Sequence, residues 1–487
     1  MANFLIRPAT NGNIFSLGAF LWFFILFIYV HQIKFDGPTP VSRLDLLHCI
    51  VMECTLRIDN VEQNTADKAS YKGHYYSDKA PGTCVLALPF FFAATKLQAL
   101  FGNVAEPGEP WLFPSWVSCA GALGLFGALG ATCSLGWLSA WTSGRPALLT
   151  TMAVFLGGMP LPYSTALFSH ALVVSLIAFA IWALMRPREV VVEIIETGNQ
   201  EPGIERSESG EWVAWCRAHG WDLLAGMSAG WALASEYTSG IIIVGLFLWL
   251  LSRNWRRAIA FGIAAVPPLL LIPLYSWACF GNPFILPYSL NEAFPAMKHG
   301  LYGITCPDLA VALKLLFSPS RGLLFWCPFL AIGGLGYREL FRKSRSLFWL
   351  TFLGPMLQVL VISGRTVDWP AGPAFGPRYL APMLPLLALP CALAARRFPA
   401  IAFVLGVYSV EITTLATLTD ASPAYDGHPN PLFDLNMPAL IEGRLSYNLG
   451  MALGLPPNLS VGLFYAILFA AIWWLWTRLP DKAPGLR

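Results

Sequence analysis

Residues 15–33, FSLGAFLWFFILFIYVHQI, contain no Asp, Glu, Lys or Arg. A bilayer's hydrocarbon core asks for about 20 mainly apolar helical residues, and this run supplies them. It is longer than a signal-peptide core and no small-residue cleavage site follows it, so it reads as a retained first span. The rest of the chain repeats the pattern. Of its 487 residues, 56% are apolar and 12% charged, against roughly a quarter charged in a soluble domain. A soluble fold has too little interior to hide that much apolar surface.

Further apolar runs fall near 114–140, 147–162, 163–185, 222–237, 238–252, 258–280, 322–340, 346–364, 379–395, 399–417 and 461–477. With the first run they predict an all-α polytopic bundle of about twelve spans. Lys and Arg gather in cytoplasmic loops, and a cytoplasmic N-terminus places Arg145, Arg253/Arg256/Arg257, Arg342/Lys343/Arg345, Arg396/Arg397 and the Arg478/Lys482/Arg487 tail inside. Counting residues 84–102 as a span would invert every one of those loops. That run is therefore expected to lie on, or dip into, the outer face. Residues 186–221 read as a polar cytoplasmic loop, and the whole chain as one membrane domain with no internal repeat.

The net charge of +3 is too small and too dispersed for a nucleic-acid surface. Ten cysteines are scattered without a C-x-x-C pair, which argues against a zinc or redox motif. No metal or cofactor is expected.

The polar chemistry falls in outer segments 35–83, 281–321, 365–378 and 418–460. Apolar residues at spacings of three and four from Ser42 to Leu56 predict an amphipathic surface helix. Arg43 and Asp45 lie at its start, where an acid is favoured by the helix dipole. Then comes Gly73-His74-Tyr75-Tyr76-Ser77-Asp78-Lys79-Ala80-Pro81-Gly82, with aromatic rings, a carboxylate and an ammonium in ten residues. Interfacial tyrosines and a surface ion pair would account for it blandly; the density favours a site. Arg378 ends a Gly/Pro-rich loop that begins at Asp368, and Arg321 ends a similar one. Either could simply snorkel to the headgroups. Glu236 and His170 sit near outer span ends, where ionisable side chains are functional candidates.

A carboxylate and several cations at the lipid-facing mouth of a many-span protein suit sugar transfer from a polyprenyl phosphate. The phosphate leaving group needs cationic stabilisation, and the acceptor needs a base. The chain resembles the membrane-embedded GT-C glycosyltransferases, in particular the bacterial branch related to protein O-mannosyltransferases and lipid A aminoarabinose transferases. The residues that carry the resemblance are the first outer loop (35–113), Tyr76-Ser77-Asp78-Lys79-Ala80-Pro81-Gly82, and Phe375-Gly376-Pro377-Arg378-Tyr379. It implies surface helices in the first loop, a polyprenyl-phosphate sugar as donor, and Asp78 and Lys79 beside the lipid phosphate. Pro81 stands one place later than the proline of the closest form.

The early acidic pair typical of relatives is replaced here by Pro40-Val41-Ser42-Arg43. Asp45 is the expected substitute base, with Asp59 and Asp36 behind it. Lys79, Arg378, Arg43 and Arg321 are the expected phosphate cations, and His74, Tyr75, Tyr76, His170, Glu236 and Tyr379 the pocket. The expected protein is an inverting glycosyltransferase of the bacterial inner membrane with both termini cytoplasmic, passing sugar to a lipid, glycan or protein acceptor. Two rival readings stay open: a lipid or solute transporter or flippase, and a noncatalytic relative that binds a lipid-linked glycan.

Overall fold

A computed structural model describes residues 12–31, 37–100, 112–186, 208–295, 300–301, 303–422 and 428–479. Asp36, Lys482 and Arg487 fall outside them. The first run forms α1 (Gly12–Tyr29). The outer loop that follows holds α2 (Pro38–Glu53), a hairpin of β1 (Lys68–Tyr71) and β2 (His74–Ser77), and α3 (Gly82–Leu100). Then come α4 (Phe113–Trp141), α5 (Gly144–Phe155), α6 (Ser169–Leu184), α7 (Glu208–Ser235), α8 (Gly240–Leu251) and α9 (Trp255–Phe280). The last third adds α10 (Leu309–Phe317), α11 (Gly333–Lys343), α12 (Arg345–Ser363), α13 (Arg378–Arg397), α14 (Pro399–Thr419) and α15 (Pro457–Arg478).

Among the described residues, seven helices are long and apolar enough to cross a membrane, and four shorter ones are apolar. The bundle is apolar outside as well as inside. Leu248, Ile263, Leu274, Val404, Phe469 and Trp473 are all exposed, a surface only lipid covers without cost.

Contacts set the direction of each pass. Phe15 stacks on Trp474 at one end of the bundle, while the Tyr29 hydroxyl donates to the Ser460 carbonyl at the other, so α1 and α15 are antiparallel. Gly124 meets His31, and Gly127 meets Phe27, so α4 returns beside α1. Asp222 pairs with Arg257 and Gly226 meets Phe261, so α7 and α9 run in the same direction, with α8 returning between them.

The basic turns gather at one end. Arg257 pairs with buried Asp222 at 3.0 Å and donates to the Leu184 carbonyl, Arg253 reaches Ser346, Arg396 reaches Glu339, and Arg145 lies over Trp476.

By length and composition α3 could cross a membrane. It packs chiefly on α2, α7 and the first three turns of α4, with Phe90 against Gly121 at the site end of the bundle. Its outward residues Phe92, Leu97 and Leu100 are exposed and apolar.

Several boundaries differ from the sequence expectations. The predicted 322–340 span is a helical turn (Leu323–Trp326), a 3-10 turn (Pro328–Ile332) and then α11, because Pro328 lacks an N–H and interrupts the hydrogen-bond ladder. The loop expected over 186–221 is helical from Glu208, since α7 runs straight on past the apolar span. Helix α2 does not lie on the surface. Both its faces are covered from Thr39 to Leu47, because α3, the hairpin and the 167–169 turn close over it. The hairpin also departs from an all-α expectation, although it is only two short strands.

The most extensive helix contact is that of α7 with α9. Gly226 and Gly230 face it one turn apart, and a β-carbon at either would strike the backbone of Phe261 or Ala265. This small-x-x-x-small spacing lets two backbones approach where lipid offers no hydrophobic drive to association.

Candidate active site

The site is built around the hairpin. Lys72 and Gly73 both have positive φ, 52° and 80°, the requirement of a two-residue type I′ turn whose twist matches its strands. The resulting register pairs Lys68 with Ser77. The next residues outward, Asp67 and Asp78, therefore stand side by side.

Lys79 lies between them. Its Nζ is 2.8 Å from Asp67 Oδ2 and 3.1 Å from Asp78 Oδ1, and 5.1 Å from the centre of the Tyr288 ring. Helix α2 supplies the floor: Thr39 donates to Asp67 Oδ2 at 2.6 Å, and Ser42 bonds both the Asp67 carbonyl and the Ser77 hydroxyl. Asn291 donates to Asp78 Oδ2 at 2.7 Å.

All three charges are buried. Burial alone would lower the Lys79 value, but Asp67 and Asp78 outweigh it and hold the ammonium above the ordinary lysine range. Burial raises Asp67, yet Lys79, Thr39 and Arg378 more than offset this and leave its carboxyl below its usual value. Asp78 goes the other way, raised by burial and by Asp67 against the pull of Lys79 and Asn291. Two like charges on one ammonium divide in this manner: one carboxylate is stabilised as the anion and the other is burdened.

These groups open onto one cleft. Across from Asp67, Asp78 and Lys79 stand Arg378, Tyr379 and Asp368, with the Ala371–Pro373 backbone as a roof and Phe168, Tyr288 and Phe294 as apolar walls. The Arg378 guanidinium lies 5.2 Å from the Tyr379 ring centre, and among the described residues no carboxylate comes within ion-pair distance of it. Arg365 is close to the same ring, at 4.6 Å, but is paired with Asp368 at 2.7 Å.

Of the residues expected from sequence, the cleft thus brings together Asp78, Lys79, Arg378 and Tyr379. The others lie elsewhere. Arg321 is buried and donates to the carbonyls of Ser320, Pro370 and Gly372, bracing the roof where Ala371 and Gly372 turn with φ of 64° and 65°. Arg43 is spent on the Leu167 carbonyl and Ser169, and Ser169 in turn donates to Glu236 at 3.0 Å. His170 packs on Tyr163 and Tyr379 behind the cleft. Asp59 clips the hairpin by accepting from the Tyr75 backbone and pairing with exposed His74. Tyr76 packs edge-on against Phe280.

Asp45, the expected base, is not in the cleft. It is fully buried on α2, with Oδ1 accepting from Asn64 at 3.2 Å and Oδ2 unpartnered among the described residues. Burial pushes it up from 3.8 to about 7, with Asn64 pulling weakly the other way. The folded state thus binds its proton more tightly than the unfolded chain, so the stability contributed falls as pH rises from the unfolded value through about 7. In detergent, wild type should therefore lose melting temperature relative to Asp45→Asn from about pH 5 to about pH 8. A difference independent of pH would refute this.

Asp67, Thr39, Tyr288, Asn291 and Asp368 were not singled out from sequence. A signal for Asp67 existed in Lys72-Gly73: reading it as a hairpin turn puts residues 67 and 78 opposite each other. Nothing local marks Asn291 or Tyr288.

The crystal structure of ArnT from Cupriavidus metallidurans in the apo state is similar to 94% of this chain and 76% of that chain, at 14% identity and a TM-score of 0.46. No protein-family model matches the chain, and no curated protein matches it.

Proposed function

We propose that this chain is an inverting membrane glycosyltransferase that moves a sugar from a polyprenyl-phosphate donor at the extracytoplasmic face. One observation supports it above the rest: Arg378, held on an aromatic ring with no carboxylate partner among the described residues, faces Lys79 and two aspartates across one cleft. Arg378 offers a planar fork to a phosphate. Lys79 has three N–H donors, two of them directed at carboxylates, which leaves the third for a phosphate oxygen. Together they stabilise the charge left on the departing lipid phosphate.

Asp67 rather than Asp45 is the base. It is the cleft carboxylate held in the anionic form, and it accepts the acceptor's proton as the new bond forms. Asp78 fixes Lys79. The sugar carbon develops oxocarbenium character that nearby carboxylates favour. The basic turns at Arg257 and Arg396 support, by the charge rule, a cytoplasmic placement of their end of the bundle and an extracytoplasmic cleft, and the proposed setting is a bacterial inner membrane.

The test is transfer in proteoliposomes given labelled polyprenyl-phosphate sugars. Arg378→Ala should raise the donor KM about ten- to a hundred-fold, the worth of a charge-assisted hydrogen bond of roughly 1.5–3 kcal/mol. Release of sugar from no donor would overturn the proposal. The rival with an observation in its favour is a noncatalytic binder of lipid-linked glycan, because Thr39 and Lys79 already occupy Asp67 and weaken it as a base. Saturable polyprenyl-phosphate binding without turnover would select that rival.

A further inference from the structure

Arg378 stands in the cleft with little to hold its side chain there. Among the described residues its Nε has no hydrogen-bond partner, and the one hydrogen bond its guanidinium gives, to the Tyr379 hydroxyl, is long at 3.5 Å. A side chain so loosely partnered is placed by its backbone.

That backbone is a turn without a regular ladder. Gly376 has a φ of 56°, and Pro377 after it has no N–H to donate. Two local bonds cross the turn, from the Arg378 N–H to the Gly376 carbonyl at 3.1 Å and from the Leu380 N–H to the Pro377 carbonyl at 2.8 Å.

Side chains from distant elements moor the turn at both ends. At Phe375, the Tyr163 hydroxyl donates to the carbonyl at 2.9 Å and accepts from the N–H at 3.0 Å. At Tyr379, the amide of Gln358 on α12 donates to the carbonyl at 2.8 Å, and it also donates to the Thr238 carbonyl at 3.1 Å. Thr238 is a firm anchor, since its hydroxyl donates to the Glu236 carboxylate and the Ser239 hydroxyl to the Glu236 carbonyl.

Tyr163 and Gln358 are both fully buried, and neither lines the cleft. Water cannot replace their bonds, so removing either leaves main-chain groups of the turn unsatisfied in the interior.

We infer that Gln358 and Tyr163 are positioning residues for the donor phosphate, acting through Arg378 by fixing the turn that carries it. The inference rests on the glycosyltransferase reading above and names two residues outside the cleft on which its donor affinity depends.

The experiment is displacement of a fluorescent polyprenyl phosphate from the full chain in nanodiscs, with release of labelled sugar from the donor followed alongside. Gln358→Met keeps the length of the side chain, and Tyr163→Phe keeps the ring. In each the Kd should rise about three- to tenfold, the worth of one neutral hydrogen bond. Placed on Arg378→Ala, the same substitutions should change Kd by less than about twofold, because the group they position is gone. A side chain that merely held the fold together would lower the bound fraction at saturation and leave the Kd of the folded protein as it was.

Wild-type Kd in both single variants, or equal fold-changes with and without Arg378, overturns the inference. A Gln358→Met protein that does not fold assigns that residue to the fold and overturns its half of the inference, and Tyr163→Phe then decides the other half. The reaction is read separately. A chain that releases sugar from no labelled donor, yet shows these changes in Kd, keeps its two positioning residues and loses the proposed activity.

Discussion

Asp67→Asn is expected to slow sugar transfer about a thousandfold, within the range ascribed to a positioned general base, while donor binding changes little. The substitution keeps the shape and the Thr39 contact but removes the charge that lies 2.8 Å from Lys79. Lys79 retains Asp78 as a partner, so the ammonium is not left buried and alone, an outcome that would cost several kcal/mol. Asp45→Asn should leave turnover close to wild type, because Asp45 faces Asn64 rather than the cleft. Initial rates with labelled donor, and displacement of a fluorescent polyprenyl phosphate for binding, separate the two effects. Full turnover in Asp67→Asn with loss in Asp45→Asn would return the role of base to Asp45.

The second large effect is on folding. Gly226→Val and Gly230→Val each force a branched side chain into the backbone of α9, at Phe261 and Ala265. Overpacking a close contact costs typically 1–3 kcal/mol, and here the obstacle is main chain, which cannot rotate aside. The double variant should cost about 3 kcal/mol or more on the same scale, seen as a lower melting temperature in detergent and loss of the monodisperse peak on size exclusion. Gly245→Val serves as the control. That glycine meets only the tip of Leu350 at 3.7 Å. Equal melting temperatures for wild type, the double variant and the Gly245→Val control would show that the α7–α9 contact is not close.

The passes were legible because each is a local property. A run such as 15–33 must be helical and lipid-covered wherever it lies, since an unpaired backbone cannot enter hydrocarbon. Loop charge then orients the passes relative to one another. The breaks inside 322–340 could have been anticipated from Pro328, whereas the burial of α2 could not, since its periodicity says only that one face is apolar. Whether the opposite face meets water or another segment depends on parts of the chain far away.

The site divides along the same line. Asp78-Lys79 and Arg378-Tyr379 stand out as dense polar clusters at span edges, and both reach the cleft. Arg43, Arg321 and Glu236 look equally available in sequence. In the folded chain Arg321 is committed to carbonyls, Arg43 to Leu167 and Ser169, and Glu236 to Ser169.

From the sequence alone came the bilayer as solvent, the helical character of the chain, and the polar clusters Asp78-Lys79 and Arg378-Tyr379 that reach the cleft. Local composition determines these, because transfer into lipid is priced residue by residue. The tertiary structure alone decided which aspartate stands in the cleft. Lys72-Gly73 turns the chain so that Asp67 meets Asp78, α2 brings Thr39 and Ser42 beneath them, and Asn291 arrives from more than two hundred residues away. A carboxylate's chemistry depends on which charges and dipoles surround it, and in this chain most of those neighbours are remote in sequence.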